Sequence, residues 1–193
     1  MDRMELRHLR TIAEALYVGL VTDTGRFMYE NTGARAHVMA AELIDAGVDV
    51  AGVYKRLYEE MPFAKLELLS RALAHVERYD DGALTIARLT RDDFRLAGAE
   101  ESYSEGVIDH LRSVAGTKVA AISRELLAEA NSSPPTRKKV SLRATGDEVD
   151  VSAIARAGGG GGHRRAAGFS TELSDADLVR FLREQIAAQL QPA

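Results

Sequence analysis

Cysteine is absent, and with it go a disulfide framework, a thiolate-ligated zinc and thiol catalysis. No apolar run approaches the ~18–20 residues that cross a bilayer, and the opening Met1-Asp2-Arg3-Met4-Glu5 lacks the apolar stretch of a secretory signal. The expectation is a cytoplasmic protein with no membrane partner. A general excess of positive charge is missing too. The 25 Lys and Arg against 29 Asp and Glu leave a net charge of −4, which argues against wholesale coating of nucleic acid. What remains is ordinary globular composition, 46% apolar and 28% charged, in a 193-residue chain long enough for one or two domains.

The charge is nevertheless segregated. Between Pro134 and Arg165 stand seven basic residues (Arg137, Lys138, Lys139, Arg143, Arg156, Arg164, Arg165) and three acidic ones, a local net of +4 that leaves −8 for the rest. Such a run reads either as a solvated basic face or as an anion site.

Hydrophobic periodicity divides the chain. Leu9, Ile12, Ala13, Leu16 and Leu20 predict an amphipathic helix over roughly 3–20, closed by the turn cluster Thr22-Asp23-Thr24-Gly25. Phe27-Met28-Tyr29 reads as core. Three further helices follow, one around Val38–Ile44 ended by Gly47, one capped by Asp49, and one opened by Pro62 with Leu66, Leu69 and Leu73. Past Tyr79 the pattern changes. Ala83–Leu89, Lys118–Ile122 and Lys139–Thr145 read as strands, the last alternating Val140, Leu142 and Ala144 with Ser141, Arg143 and Thr145. Helices are expected at Val107–Leu111 and Val151–Ala157, a last strand from Phe169, and a final helix from the Ser174/Asp177 capping pattern. The expected fold class is α/β, with a helical block over 1–80 and a mixed α/β domain over 81–193.

Gly158–Gly162 followed by His163 is the most informative segment. Glycine runs are usually flexible linkers. Here the run enters directly into Arg164-Arg165-Ala166-Ala167-Gly168-Phe169, which has the look of packed structure. Bare backbone N–H groups approach an anion closely, and an adjacent imidazole donates to a phosphate oxygen. No Lys-Ser or Lys-Thr pair follows, so this is no nucleoside-triphosphate P-loop, nor do the glycines sit between a strand and a helix start as in the dinucleotide fingerprint. Arg143 shares its strand face with Ser141, where a guanidinium can clasp a phosphate in two bonds as a lysine cannot. The alternative for Arg143 is an exposed strand arginine. His8, His37 and His75 are read as helix-surface or packing residues.

The run Gly159–Gly168 resembles the glycine-histidine signature of the DHH-associated C-terminal domain, which follows the DHH phosphoesterase domain in NrnA-like nanoRNase/pAp phosphatases and RecJ-like exonucleases. Leu16–Phe27, with Thr22-Asp23-Thr24-Gly25 at its centre, resembles the last metal-binding motif of the DHH domain, and Val140-Ser141-Leu142-Arg143 resembles the strand whose arginine meets a substrate phosphate. The resemblance implies that Asp23 is a catalytic metal ligand with manganese as the ion. It implies that Ser141 and Arg143 hold substrate phosphate, and that His163 takes a terminal phosphate with backbone donors from Gly160, Gly161 and Gly162. The implied substrates are short RNA and phosphonucleotides such as 3′-phosphoadenosine 5′-phosphate. The sequence departs from the family at its namesake: no two of the five histidines are adjacent, and Asp109-His110 runs into Leu111.

Two-metal hydrolysis needs several ligands around two ions. With Asp23 alone, the metal site is expected to be incomplete and the chain inactive by itself, a C-terminal piece of the family's architecture whose missing ligands another chain or segment supplies. The helix faces of 1–80 further predict self-association, with a homodimer as one form. The competing expectations are a non-catalytic nucleotide- or RNA-binding regulatory module and a fragment of a cyclic-dinucleotide phosphodiesterase.

Overall fold

The computed structural model describes residues 3–29, 31–127 and 137–190. The chain forms two compact units, Met1–Met61 and Pro62–Ala193.

The first unit is helical: α1 (Arg3–Asp23), α2 (Ala34–Asp45) and α3 (Val50–Tyr54), the last running into a π-helical turn, Lys55–Glu59. Its core gathers Ala13, Tyr17 and Val21 of α1 with Ala40, Val48 and Val53. That stripe is turned about a quarter of the helix circumference from the apolar stripe of the sequence; the two share Ala13, and Leu20 packs at the edge, but Leu9, Ile12 and Leu16 are exposed. Met28 and Tyr29 are exposed as well, which corrects their reading as core; of that trio only Phe27 packs inward.

The second unit is a six-stranded mixed sheet with helices on both faces. Its elements run α4 (Phe63–Ala74), β1 (Glu77–Tyr79), β2 (Leu84–Leu89), α5 (Arg91–Ala97), α6 (Val107–Arg112), β3 (Val119–Glu125), β4 (Lys138–Ala144), α7 (Val151–Ala157), β5 (Gly161–His163), β6 (Ala166–Thr171) and α8 (Asp175–Leu190). The strand order is β1-β2-β3-β4-β6-β5, with β2 and β3 parallel and every other neighbour antiparallel. The compact division falls at 61/62 and not at 80/81, because α4 buries Leu68 and Ala72 among Leu89, Phe94 and Leu111 of the sheet unit.

Alternation along the strands sorts residues onto two faces. One face carries Leu84, Ile86, Val119, Ala121, Val140, Leu142, Ala167 and Phe169 under α7 and α8. The other carries Ala87, Leu89, Ala120 and Ile122 under α4, α5 and α6. On this second face the apolar cover stops at β3. Beyond it β4 presents Lys139, Ser141 and Arg143, and β6 presents Ala166, Gly168 and Ser170, all half-buried or exposed. Half of one sheet face is thus left polar and accessible, and the two hydrophobic clusters keep it rigid; each fully buried Leu or Ile contributes ~1.5–3 kcal/mol.

Helix α7 leads into the glycine run and is fixed at its start by Asp150, whose carboxylate accepts from the backbone N–H groups of Ser152 (2.8 Å) and Ala153 (3.3 Å) and from the Ser152 hydroxyl (2.6 Å). The Ser152 hydroxyl chiefly holds the Asp150 carboxyl below its ordinary range; the two backbone donors and Arg156 add to this, and desolvation opposes it. The group is therefore a better acid folded than unfolded. Its stabilisation is complete above the unfolded carboxylate range and fades as pH falls through the depressed folded value. Asp150→Ala is expected to cost about 1 kcal/mol near neutral pH. Denaturant melts of the two proteins should converge as the pH drops below ~4, the ordinary range of a free aspartate.

Candidate functional site

Register determines which side chains share a face. Arg143 of β4 stands directly opposite Ala166 of β6, and Ala166 directly opposite His163 of β5. Residues opposite one another in antiparallel ladders point to the same side. Arg143 and His163 therefore project from the same accessible face, two strand spacings or roughly 10 Å apart. The next row is Ser141–Gly168–Gly161. Between the two functional strands β6 thus carries only a methyl group and a hydrogen, so nothing rises between arginine and imidazole.

Arg143 is half-buried and donates through Nη1 to the carbonyl of Leu142 (3.0 Å), which leaves the rest of the guanidinium uncommitted. His163 is exposed, with no side-chain hydrogen bond among the described residues. Ser141 and Arg143 also form one wall of a cleft of about 320 Å³, with Lys139, Arg124 and Ile122 beside them and Ile108 of α6 across from them. Sequence reasoning counts Lys139 only as one member of the basic run and passes over Arg124. The register signal that brings them in, Arg124 opposite Lys139, does not exist before the strands are paired.

The glycine run is ordered structure and not a linker. The N–H groups of Gly158, Gly159 and Gly160 donate to the carbonyls of Ile154 (3.1 Å), Arg156 (3.0 Å) and Ala155 (2.8 Å), closing the end of α7. The Gly160 donor is therefore committed within the fold, which corrects its expected part in an anion cradle. Gly161 and Gly162 belong to β5, the outermost strand, whose backbone groups alternate between β6 and open solvent.

Arg164 and Arg165 occupy the tight β5–β6 turn and face the loop before α7. Arg164 donates to the Asp147 carbonyl (2.7 Å), and Arg165 reaches both Asp147 carboxylate oxygens (3.1 Å each). Part of the basic run is thus neutralised internally.

Asp23 lies in the first unit as the last residue of α1. Its carbonyl accepts from Asn31 Nδ2 (3.0 Å), and its side chain is exposed. Thr24 is buried beneath it; its hydroxyl donates to the Leu20 carbonyl (2.6 Å) and accepts from the Phe27 N–H (3.2 Å). No group of three or more His, Asp or Glu side chains that could hold a metal ion occurs among the described residues. The described side chains therefore do not by themselves fit a binuclear metal centre.

The profile of the DHHA1 domain matches residues 93–191, which contain Arg143, His163 and the whole cleft. The chain belongs to the DHHA1 family. It is also 33% identical over 191 residues, 96% of its length and 54% of the relative's, to a bifunctional oligoribonuclease and PAP phosphatase NrnA of Thermus thermophilus. Identity to the protein of the same name in Bacillus subtilis is 26% over 158 residues, 82% of this chain and 47% of that one. The chain thus spans about half the length of these relatives. An exopolyphosphatase-related protein from Bacteroides fragilis shares the fold, with a TM-score of 0.80 and 24% identity over 91% of this chain and 49% of that one.

Within this DHHA1 sheet the glycines separate by what surrounds them. A Cβ on Gly162 would stand 2.5 Å from the Ala167 Cα, and its φ of +143° is strained for any other residue. A Cβ on Gly161 would meet nothing within 4 Å. Gly162→Ala is therefore expected to lower the melting temperature by several degrees, on the order of 1–3 kcal/mol of strain. Gly161→Ala should leave it unchanged or slightly raised, because alanine restricts the unfolded chain. Thermal melts of the two variants decide the point.

Proposed function

We propose that the sheet unit recognises the phosphate of a nucleotide or short oligoribonucleotide, as the substrate-holding part of a DHH-type phosphoesterase. The observation that carries this reading is the single row Arg143–Ala166–His163 on an uncovered face. An arginine and an imidazole flank a floor with no bulk between them, and the outer strand beside them has backbone N–H groups to spare. A phosphate seated there accepts charge-assisted bonds from Arg143, a hydroxyl bond from Ser141, a ring N–H from His163, and main-chain donors from Gly161 or Gly162. The NrnA relatives are oligoribonucleases and PAP phosphatases, activities whose ligands carry such a group. In the same proposal Asp23 is one ligand of a divalent metal, manganese in the first instance, whose remaining ligands come from another chain or segment.

Binding without turnover is the second reading, favoured by the Arg143–His163 row, whose contacts to a phosphate need no metal. Incubated with a dinucleotide RNA and added manganese, the protein is expected to release no mononucleotide. Measurable release would overturn that view.

Recognition is tested by titration with 3′-phosphoadenosine 5′-phosphate. Losing a hydrogen bond to a charged group costs ~1.5–3 kcal/mol, so Arg143→Ala and His163→Ala should each weaken binding at least about tenfold. Arg143→Lys should recover little, because a point charge does not reproduce the two-pronged contact. Affinity indifferent to both alanine variants sinks the assignment.

A further inference from the structure

Strand β5 holds His163 with little of its own. It is three residues long, two of them glycine, and all three are exposed. The hairpin to β6 closes in two residues, Arg164 and Arg165, between the paired His163 and Ala166. Two-residue hairpin turns that match the twist of their strands place residues at positive φ, which is why Asn-Gly and similar pairs dominate them. Neither arginine has a positive φ. The turn therefore lacks the local geometry that would hold it, and part of what keeps His163 level with Arg143 must come from outside the hairpin.

The outside support is the loop 145–150 between β4 and α7, which is anchored at both ends. At one end the Thr145 N–H donates to the Lys118 carbonyl (3.0 Å) and its hydroxyl to the Thr117 carbonyl (2.6 Å). At the other the Asp150 N–H donates to Gln189 Oε1 of α8 (2.8 Å), and Val149 beside it is buried in the core. From this frame the main chain reaches the turn twice. The N–H groups of Ala144 and Val151 donate to the carbonyls of Arg165 (3.1 Å) and Arg164 (3.0 Å). Side chains of the turn reach back: Arg164 bonds the Asp147 carbonyl, and Arg165 grips the Asp147 carboxylate twice, Nε to Oδ1 and Nη2 to Oδ2. That fork fixes direction as well as distance. With its two side chains 70% and 47% exposed, it adds little to the stability of the fold. Its effect is on where the turn points.

We propose that Asp147, acting through Arg165, is a positioning residue for His163: its carboxylate fixes the Arg164–Arg165 turn and so sets where the imidazole stands relative to Arg143. This rests on His163 meeting the phosphate of the ligand. The experiment titrates the full chain with 3′-phosphoadenosine 5′-phosphate at ~0.15 M salt, where distant charges are screened. Asp147→Ala removes the carboxylate and leaves the carbonyl to Arg164. Coulomb's law alone has the loss of a nearby negative charge tighten an anion, so weaker binding carries the sign of lost positioning. Affinity should fall about fivefold, part of the roughly tenfold that the imidazole contributes. The melting temperature should stay within about 3 °C of the parent. In a His163→Ala background the same substitution should change affinity less than about twofold, because residues that act through one another are not additive. In an Arg143→Ala background it should still cost about fivefold. Asp147→Glu keeps two oxygens for Arg165 and should bind within about twofold of the parent. Unchanged or tighter binding by Asp147→Ala overturns the proposal. So does a loss that persists without His163, or one that Asp147→Glu repeats in full. A melting temperature lowered beyond that margin overturns it as well, by making Asp147 a residue of the fold. Indifference to His163→Ala alone removes the contact beneath the proposal, a failure of the phosphate reading visible before Asp147 is touched.

Discussion

The site depends on how closely β5 and the end of the glycine run approach β6. A Cβ on Gly160 would stand 2.2 Å from the Gly168 carbonyl oxygen, and one on Gly168 would stand 2.7 Å from the Val140 carbonyl oxygen. No side chain fits at either place without moving backbone. Only because both are glycine can β5 pair with β6 in the register that brings His163 level with Arg143. The same residues that remove steric bulk from the accessible face also set the pairing that gives that face its chemistry. On the reverse side of β6, Ala167 and Phe169 are buried in the core, and the Phe169 ring meets Phe181 of α8 edge-on at 5.7 Å. Packing thus fixes one face of β6 so firmly that the other can be left nearly bare.

Electrostatics refines this picture, because basic residues close in sequence have different fates. Arg165 spends its charge on Asp147 and Lys138 on Asp175, while Arg164 donates to the Asp147 carbonyl and Arg156 to the Ser152 hydroxyl (2.9 Å). Asp147 is already counted in the +4, so of these contacts only the Lys138–Asp175 pair removes charge from the run, and Lys118 offsets it by taking up Glu148. Arg143 and Lys139 remain uncommitted because strand alternation turns them away from α7, α8 and the acidic loop, toward the face where apolar cover ends. A short, locally positive strip of this kind suits a small anion better than a long one.

How much of this the sequence discloses varies with the element. The two-sidedness of β4 is written in its strict alternation, and Ser141 and Arg143 fall on the accessible side as that pattern demands. The buried side of α4 is not readable in this way. Leu66, Leu69 and Leu73 define one stripe, yet Leu68 and Ala72 are the fully buried pair, because the helix is apolar around much of its girth and only its tertiary neighbours choose. Strand β5 carries no hydrophobic signal, since its residues are Gly, Gly and His, and it exists only through pairing with β6. Strand β1 is three residues, Glu-Arg-Tyr, held by register with β2 and by the Arg88–Glu77 ion pair. Helix α5 is announced by a capping box, Thr90 with Asp93, too local to be noticed beside the longer amphipathic patterns. The pairing of Arg124 with Lys139 is a property of the folded sheet, invisible in either strand alone.

The turn that carries Asp23 follows a different logic, strain held in place by contacts. Gly25, Arg26 and Phe27 all lie in the left-handed region, with φ of 53°, 62° and 66°. For the two residues with side chains this costs on the order of 1–3 kcal/mol each, and such turns persist only where their surroundings over-determine them. Here they do. The Arg26 N–H donates to the Val21 carbonyl (2.8 Å), and the N–H groups of Met28 and Tyr29 both donate to the Thr24 carbonyl (3.0 Å each). The Arg26 guanidinium lies 5.2 Å above the Tyr58 ring, and Phe27 stacks on His37 at 5.0 Å. Glycine at 26 and 27 would relieve the strain but lose both ring contacts and leave the loop free to wander. The strained version trades some stability for a defined backbone at the end of α1, where Asp23 stands with its carbonyl held by Asn31.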